Sequence, residues 1–136
     1  MSLHGRAALV TGGSRRVGKV LALALAREGA DVAITYHRRV RDAEAVVHAI
    51  QKLGRQSIAL RADLTRPADC RRAVDAAARR LGRLDILVNN VGEWRVKPVE
   101  TTSLEEWRAV IDSNLTATYL CSRAAVPWMR RNRWGR

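Results

Sequence analysis

The sequence predicts an α/β protein built on a doubly wound parallel sheet. Short apolar segments alternate with helical ones along the whole chain, and a turn of small residues follows the first apolar segment. The chain has 136 residues, of which 47% are hydrophobic and 28% charged. This composition is typical of a globular protein, and the length suits one domain with a buried core. We therefore expect a single domain over residues 1–136.

Four segments have the length and apolar character of strands. They cover residues 7–10, 32–36, 57–61 and 84–88. Because a helical segment follows each of the first three, the chain returns to the same edge before the next strand begins, and the strands are then parallel. We expect the strand order 3-2-1-4 and a sheet that is truncated after about four strands. The last residues, Trp134-Gly135-Arg136, predict the turn into a fifth strand.

Three helices connect these strands, and each presents one apolar stripe to the sheet. The first is expected at about residues 17–28, before Gly29, a common helix stop. The second precedes Gly54 and the third precedes Gly82, with Pro67 as a start signal. The stripes of the second and third helices consist of Ala43, Val46, Val47, Ile50 and Leu53, and of Cys70, Ala73, Val74, Ala77 and Leu81.

After the fourth strand the pattern changes to a polar turn, a loop and two more helical segments. Ser103 and Glu106 form a capping box that predicts the start of a helix. Trp107, Val110 and Ile111 would share one face of that helix. A longer helix is expected at about residues 115–129, with a proline inside it.

The net charge of +12 allows two interpretations. Arginines at helix ends and on solvent faces could simply be solvated, or they could form an electrostatic footprint for nucleic acid. Aromatic residues make up only 4% of the chain, and no platform for stacking bases is evident. The solvated faces are the favoured interpretation, and a basic nucleic-acid-binding protein is the less favoured alternative.

The remaining composition indicates a cytoplasmic protein without membrane or metal partners. Cys70 and Cys121 lie on predicted helices without a C-x-x-C pair, so we expect reduced core residues. Residues 1–6 lack the apolar core of a signal peptide, and the longest apolar run, residues 20–26, is too short to span a bilayer. No His and Cys cluster has the spacing of metal ligands, so no metal is expected.

The turn from Thr11 to Gly18 lies where a Rossmann-type fold binds the pyrophosphate of a dinucleotide. The first turn of a helix has unpaired N–H groups and partial positive charge, which attract phosphate. We expect Gly12 and Gly13 to leave room for that phosphate, and Gly18 to let the helix pack closely. Arg16 stands where a middle glycine is usual. Taken alone, the turn is equally compatible with an ordinary loop.

Three further motifs follow in order along the chain. They are Asp63-Leu64 after the third strand, Asp85-Ile86-Leu87-Val88-Asn89-Asn90-Val91-Gly92 at the fourth, and Asp112-Ser113-Asn114-Leu115. Together with the first turn they resemble the N-terminal half of a classical short-chain dehydrogenase/reductase, over essentially the whole chain. Arg16 and the run Tyr36-His37-Arg38 are similar to pteridine reductases and to 3-oxoacyl-carrier-protein reductase-like members.

The resemblance implies a role for each motif. The first turn would wrap the pyrophosphate, Asp63 would accept from the adenine amino group, and the next backbone N–H would contact the adenine ring. Val91 replaces the alanine that is usual in the turn lining the ribose. Asn114 matches the catalytic asparagine that kinks its helix and holds a water beside the active lysine. The implied cofactor-binding residues are Gly12, Ser14, Arg15, Arg16, Val17, Gly18, Tyr36, His37, Arg38, Asp63, Leu64, Asn89, Asn90, Val91 and Gly92.

Charge at the end of the second strand distinguishes the two nicotinamide cofactors. NAD sites place a carboxylate there for the ribose 2′-OH, whereas a 2′-phosphate is repelled by that carboxylate and favours arginine. This chain has Thr35-Tyr36-His37-Arg38-Arg39 at that point, without an acid. Arg15 also matches a position at which NADP-preferring relatives carry a basic residue. We therefore expect NADP(H).

The family's catalytic tyrosine, the lysine four residues after it and the serine are not found in these 136 residues. Tyr36 is followed four residues later by Val40, and Tyr119 by Arg123. We expect an NADP-binding half-domain of an oxidoreductase that transfers hydride between nicotinamide and a carbonyl or alcohol substrate. This half would be inactive alone, and the full-length enzyme a homo-oligomer. The alternative is a nucleotide-binding module without catalysis, so whether this chain is an enzyme is left open.

Overall fold

A computed structural model describes residues 2–136 and shows a four-stranded parallel sheet. The strand order is β3-β2-β1-β4, which confirms the α/β class and the order predicted from sequence. The strands are β1 (Ala7–Val10), β2 (Asp31–Tyr36), β3 (Ser57–Arg61) and β4 (Ile86–Val88). In the register of the sheet, Val10 lies beside Ile34 on one side and Val88 on the other. The carboxyl ends of the strands therefore meet at one edge.

Helices cover both faces of this sheet. They are α1 (Arg16–Arg27), α2 (Val40–Lys52), α3 (Pro67–Arg80), α4 (Leu104–Ile111) and α5 (Ala117–Arg131). A short 3₁₀ turn, Val99–Thr101, precedes α4. The predicted apolar stripes of the second and third helices are largely buried, and Leu53, on the second, is the exposed member. Among the described residues, no helix is long and apolar enough to cross a membrane.

The core consists of two apolar clusters, one on each face of the sheet. Alternate residues of β1 point to opposite faces, so Leu9 packs with α3 and α5 while Val10 packs with α1 and α2. Cys70 and Cys121 are free and buried in the first cluster, as expected for core residues. Burial raises the pKa of the Cys121 thiol to about 12. Both thiols therefore stay protonated and act as apolar core groups.

The fourth strand begins at Ile86, two residues later than the sequence predicts. Asp85 precedes it with a fully buried carboxylate. Its Oδ2 accepts from the backbone N–H of Ala7 at 2.9 Å, and it forms ion pairs with Arg83 at 2.6 Å and Arg6 at 3.3 Å. Burial opposes ionisation of Asp85, but the hydrogen bonds from Arg83, Ala7 and Arg6 outweigh it, and the pKa lies below the ordinary value.

The two helical segments predicted after residue 103 form one continuous helical run. The capping box is confirmed: Ser103 Oγ accepts from the N–H of Glu106, and the Glu106 carboxylate accepts from the N–H of Ser103. A π turn, Asp112–Thr116, then joins α4 to α5. The expected apolar face of α4 is not buried, since no residue of that helix is buried and Trp107 is 59% exposed.

The last described residues already pair with the sheet. Arg136 donates its N–H to the carbonyl of Asp85 at 3.0 Å, and its carbonyl accepts from Leu87 at 2.9 Å. This is the bonding pattern of one rung in a parallel ladder. Trp134 lies under the guanidinium of Arg6, 4.1 Å from it, and holds the segment in place. The edge of β4 is therefore not wholly bare, and the expectation of a turn leading to the sheet fits this geometry.

Candidate functional site

The motifs singled out from the sequence converge at the carboxyl edge of the sheet. The turn Thr11–Gly18 follows β1, His37 and Arg38 follow β2, Asp63 follows β3, and Asn89–Gly92 follows β4. In parallel sheets of this kind, ligands bind outside the carboxyl ends of the strands. The candidate site is therefore this edge, between the first turn and the turn after β4.

The first turn is tight because glycines allow two close approaches. Gly12 has φ +62°, and a Cβ on it would lie 2.9 Å from Val91 Cγ2. A Cβ on Gly18 would collide with the carbonyl oxygen of Gly12 and would lie 2.6 Å from Asn90 Nδ2. Any larger residue at position 18 would push α1 away from the turn, so Gly18 sets how closely the helix approaches.

Gly13 makes a close contact that the sequence did not predict. A Cβ on Gly13 would lie 2.7 Å from Ile34 Cβ, so packing on β2 requires a glycine at this position. Its N–H is also occupied, since it donates to the carbonyl of Thr35 at 3.1 Å, and the N–H of Gly12 donates to Thr35 Oγ1 at 2.9 Å. The N–H groups of these two glycines are therefore not available to a phosphate, whereas the first turn of α1 offers unpaired N–H groups.

That helix terminus is open to an anion. The N-cap residue, Arg15, gives no side-chain cap, and no acidic residue lies in the first turn of α1. The unpaired N–H groups and the helix dipole thus keep their attraction for negative charge. Arg16, the first residue of the helix, has φ +47°, a left-handed conformation that favours glycine. Arg16 stands where a middle glycine is usual in such a turn, and the left-handed conformation at this position explains why glycine is favoured there.

A cleft of about 370 Å³ opens beside this terminus. Its nine lining residues all belong to the set implied by the resemblance, and they come from the first turn and from the turn after β4. They are Gly12, Ser14, Arg15, Arg16, Val17, Gly18, Asn90, Val91 and Gly92. Two segments that are more than seventy residues apart in sequence thus build one concave surface.

Two threonines, to which the sequence assigned no role in the site, hold this surface together. Thr11 is buried, and its Oγ1 accepts from the N–H of Asn90 at 2.8 Å and of Val91 at 3.1 Å. Asn90 Nδ2 donates back to the carbonyl of Thr11 at 2.9 Å. Thr35 fixes the glycine turn from β2, as described above. A polar β-branched residue at the end of an apolar strand was the available signal for both.

The turns after β2 and β3 approach each other on the opposite side of the site. His37 Nε2 lies 4.0 Å from Asp63 Oδ2. A hydrogen bond from the Thr65 hydroxyl, 2.7 Å long, is the main reason that the pKa of Asp63 lies below its ordinary value. Asp63 is therefore a charged acceptor, and among the described residues no hydrogen bond is donated to its Oδ2. Leu64 is buried, so only its backbone can reach a ligand, whereas Tyr36 is partly buried and lies at the end of β2.

A second, basic cleft of about 330 Å³ lies on the outer side of the first turn. It is lined by Ser14, Arg15, Arg16, Lys19, Asp42 and Ala45. Three cations and one carboxylate therefore face the same space. Arg38, at the end of β2, is exposed.

Asn114 lies in the π turn and touches the loop after Gly92. Its Nδ2 donates to the carbonyls of Val110 at 2.8 Å and Glu93 at 2.7 Å. A Cβ on Gly92 would collide with Asn114 Oδ1. The helix thus departs from α geometry at Asn114, as the resemblance implied. Asn89 is directed elsewhere, since its Nδ2 donates to Ser122 Oγ of α5 at 3.1 Å.

Comparisons with known proteins agree with this geometry. The family model of the short chain dehydrogenases matches residues 6–136. Hydroxynaphthalene reductase of Aspergillus fumigatus is 44% identical over 125 residues, which are 92% of this chain and 46% of that protein. 3-Oxoacyl-[acyl-carrier-protein] reductase of Synechocystis is 38% identical, with coverage of 99% and 55%. The chain therefore belongs to the short-chain dehydrogenase family.

A solved structure gives the same result in three dimensions. A short chain dehydrogenase from Burkholderia cenocepacia, determined in complex with NADP, superposes with a TM-score of 0.92 at 44% identity. The match covers 95% of this chain and 53% of that one. The chain thus spans about half the length of the relatives it matches.

Proposed function

We propose that this chain is the NADP(H)-binding half-domain of a short-chain oxidoreductase that transfers hydride between nicotinamide and a carbonyl or alcohol substrate. The observation that carries the proposal is the open N-terminus of α1 facing a cleft of about 370 Å³, with Gly18 pressed against the turn. The NADP complex of the Burkholderia relative supports it.

The residues of the cleft fit a dinucleotide. Gly18 has no side chain. A larger residue there would force α1 outward and close the approach to its N-terminus. The unpaired N–H groups at the N-terminus of α1 would bind the pyrophosphate, and Asp63 would accept a hydrogen bond from the adenine amino group. When bound, the nicotinamide supplies or accepts the hydride. The protein's own part is to bind and orient the cofactor at the edge of the sheet.

Arg15 and Arg38 would give the preference for a 2′-phosphate. The residues directly after β2 are His37 and Arg38. Neither has a carboxylate that could accept hydrogen bonds from the ribose hydroxyls. Arg15 faces the basic cleft beside the first turn. A guanidinium binds a phosphate through two parallel hydrogen bonds, so both residues favour NADP(H) over NAD(H).

Titration with NADPH and NADH tests the proposal. We expect the chain to bind NADPH more tightly, and Arg15→Ala and Arg38→Ala each to weaken NADPH about tenfold while NADH changes little. Arg79→Ala is the matched control, because it removes the same charge from the far end of α3. Tighter binding of NADH than of NADPH by the unaltered chain would overturn the cofactor assignment.

The second candidate is a nucleotide-binding module without catalysis. It is favoured by one observation: neither Tyr36 nor Tyr119 is followed by lysine four residues later. Asn114 is then the single residue here that corresponds to the family's catalytic set. If the coding sequence downstream of Arg136 supplies a serine and a Tyr-x-x-x-Lys pair in frame, the longer protein is the oxidoreductase. A frame without them supports the module.

For such a longer protein we propose a small-molecule carbonyl substrate, a homo-oligomeric state and a cytoplasmic location. The support is family membership, and the Aspergillus and Synechocystis relatives are both reductases.

A further inference from the structure

The basic cleft beside the first turn contains one acidic side chain that no motif accounts for. Asp42 lies in the first turn of α2, with its Oδ2 3.9 Å from Nε of Arg15. Arg16 and Lys19 line the same cleft of about 330 Å³. Asp42 therefore approaches the guanidinium that is proposed to bind the 2′-phosphate.

We propose that Asp42 is a specificity-determining residue, which limits the preference for the phosphorylated cofactor by competing with the 2′-phosphate for Arg15. This inference rests on the proposed function and deepens it. The competing carboxylate does not lie at the end of β2, where NAD-binding sites have one. It lies on α2, the helix that follows.

The geometry of the Arg15–Asp42 pair decides whether removal of the Asp42 charge strengthens or weakens binding of the 2′-phosphate. At 3.9 Å the contact is an ion pair beyond hydrogen-bond distance, so Asp42 neutralises Arg15 without fixing its orientation. The two side chains are 42% and 41% exposed, and pairs of this kind contribute little to stability. Removing the carboxylate thus costs little positioning of Arg15.

The effect of the Asp42 charge on the bound phosphate is larger than its effect on the position of Arg15. A phosphate monoester carries nearly two negative charges at neutral pH, and each is repelled by a carboxylate in the same cleft. Among the residues lining this cleft, Asp42 is the single acid and opposes three cations. Loss of its charge therefore strengthens binding of the 2′-phosphate, whereas a ribose with a free 2′-hydroxyl is unaffected.

The test compares two nucleotides that differ at the 2′ position. Binding of adenosine 2′,5′-bisphosphate and of 5′-AMP is measured by calorimetry for the unaltered chain and for Asp42→Asn. We expect Asp42→Asn to bind the bisphosphate about threefold more tightly, with 5′-AMP unchanged. The gain should shrink as ionic strength rises, because the charges are partly exposed.

Glu44→Gln is the matched control. It removes the same charge from the same helix, at an exposed position outside the cleft. An unchanged or reduced bisphosphate preference in Asp42→Asn would overturn the inference, and so would an equal gain in Glu44→Gln. Circular dichroism and urea unfolding of each variant establish that it is folded.

The outcome also separates this inference from the proposed function. An unaltered chain that prefers the bisphosphate, with no gain in Asp42→Asn, overturns the role of Asp42 and leaves the NADP(H) assignment standing. If the unaltered chain and Asp42→Asn both bind the two nucleotides equally, the NADP(H) preference is overturned, and the role of Asp42 with it.

Discussion

Arg16 occupies a backbone conformation that costs free energy for every residue except glycine. At φ +47° its Cβ is crowded by the backbone, which costs about 1–2 kcal/mol in the left-handed region. Such strain persists where the surroundings impose it, and it is common at functional sites. Arg16 lines both clefts, so the residue in the strained conformation also brings a positive charge to them.

Replacing Arg16 with glycine is therefore expected to change stability and binding in opposite directions. Arg16→Gly should raise the free energy of unfolding by about 0.5–1 kcal/mol, the relief of strain less the entropy of a new glycine. It should also weaken NADPH binding severalfold, because a cation is lost from the cleft. Urea unfolding and NADPH titration measure the two effects. A variant that is both less stable and unchanged in binding would contradict this account.

Gly18 is a second residue whose identity follows from a contact. Gly18→Ala places a methyl group against the carbonyl of Gly12, and overpacking of this kind costs about 1–3 kcal/mol. NADPH affinity should fall as well, because α1 must move. Gly82→Ala is the control, since Gly82 has φ +77° and open space around it, and it should lose stability without losing affinity. Equal loss of affinity in both variants would argue against a specific role of Gly18 in shaping the main cleft.

At this scale the sequence predicted most of the site, because the motifs are local and the strands end together. All nine residues of the main cleft were among those implied by the resemblance. The packing of Gly13 was not predicted, since its close contact is with Ile34, which lies in another strand. Thr35 was missed for the same reason: its bonds to Gly12 and Gly13 depend on how β1 and β2 are paired, and a single sequence does not specify that pairing.

Asp85 connects several elements of the fold through one buried carboxylate. It accepts from the N–H of Ala7 in β1 and from Arg6 and Arg83, and Asn132 Nδ2, just after α5, lies 3.4 Å from its Oδ1. Because the pKa of Asp85 is lowered in the folded protein, the ionised carboxylate stabilises the fold above about pH 4. That contribution is lost as the pH falls further.

Asp85→Asn tests this role. It should lower the free energy of unfolding at pH 7 by about 3 kcal/mol, because two arginines lose a buried partner. The difference from the unaltered chain should narrow as the pH falls below about 4, where the carboxylate becomes protonated. Urea unfolding from pH 7 downward is the measurement, with Glu44→Gln as an exposed control. A difference that stays constant with pH would rule out the ionised carboxylate as the cause.

The helices and strands between residues 7 and 81 were predicted to within a few residues, because apolar periodicity and glycine stops mark them. The region after residue 88 was harder to predict. The π turn Asp112–Thr116 depends on Asn114 donating to the carbonyls of Val110 and Glu93, and such a side-chain contact has no periodic signature. Two helices were therefore predicted where one helical run exists.

Most of the large apolar side chains that the described residues expose lie on one stretch of the chain. Trp94 is 87% exposed in the loop after β4, and further exposed groups follow in that loop, in the 3₁₀ turn, on α4, in the π turn and on α5. They include Val96, Val99, Leu104, Trp107, Leu115 and Tyr119. Apolar surface of this extent favours association between molecules.

We expect the isolated chain to self-associate and to show no reductase turnover. Sedimentation velocity should give a weight-average mass that rises with protein concentration, and Trp107→Gln combined with Leu115→Gln should reduce that rise. NADPH oxidation with carbonyl compounds should stay at the rate without protein. Robust turnover by the purified chain would contradict the assignment of a half-domain, and a concentration-independent monomer would contradict the role of the exposed apolar groups.

The threonine contacts around the first turn have a consequence for binding kinetics. Thr11 fixes the turn after β4, and Thr35 fixes the glycine turn, so the main cleft is shaped before any ligand arrives. A site of this kind spends little conformational entropy on ordering itself. Association should then be limited by diffusion and electrostatic steering, and variants of the cleft should differ mainly in how fast the nucleotide leaves.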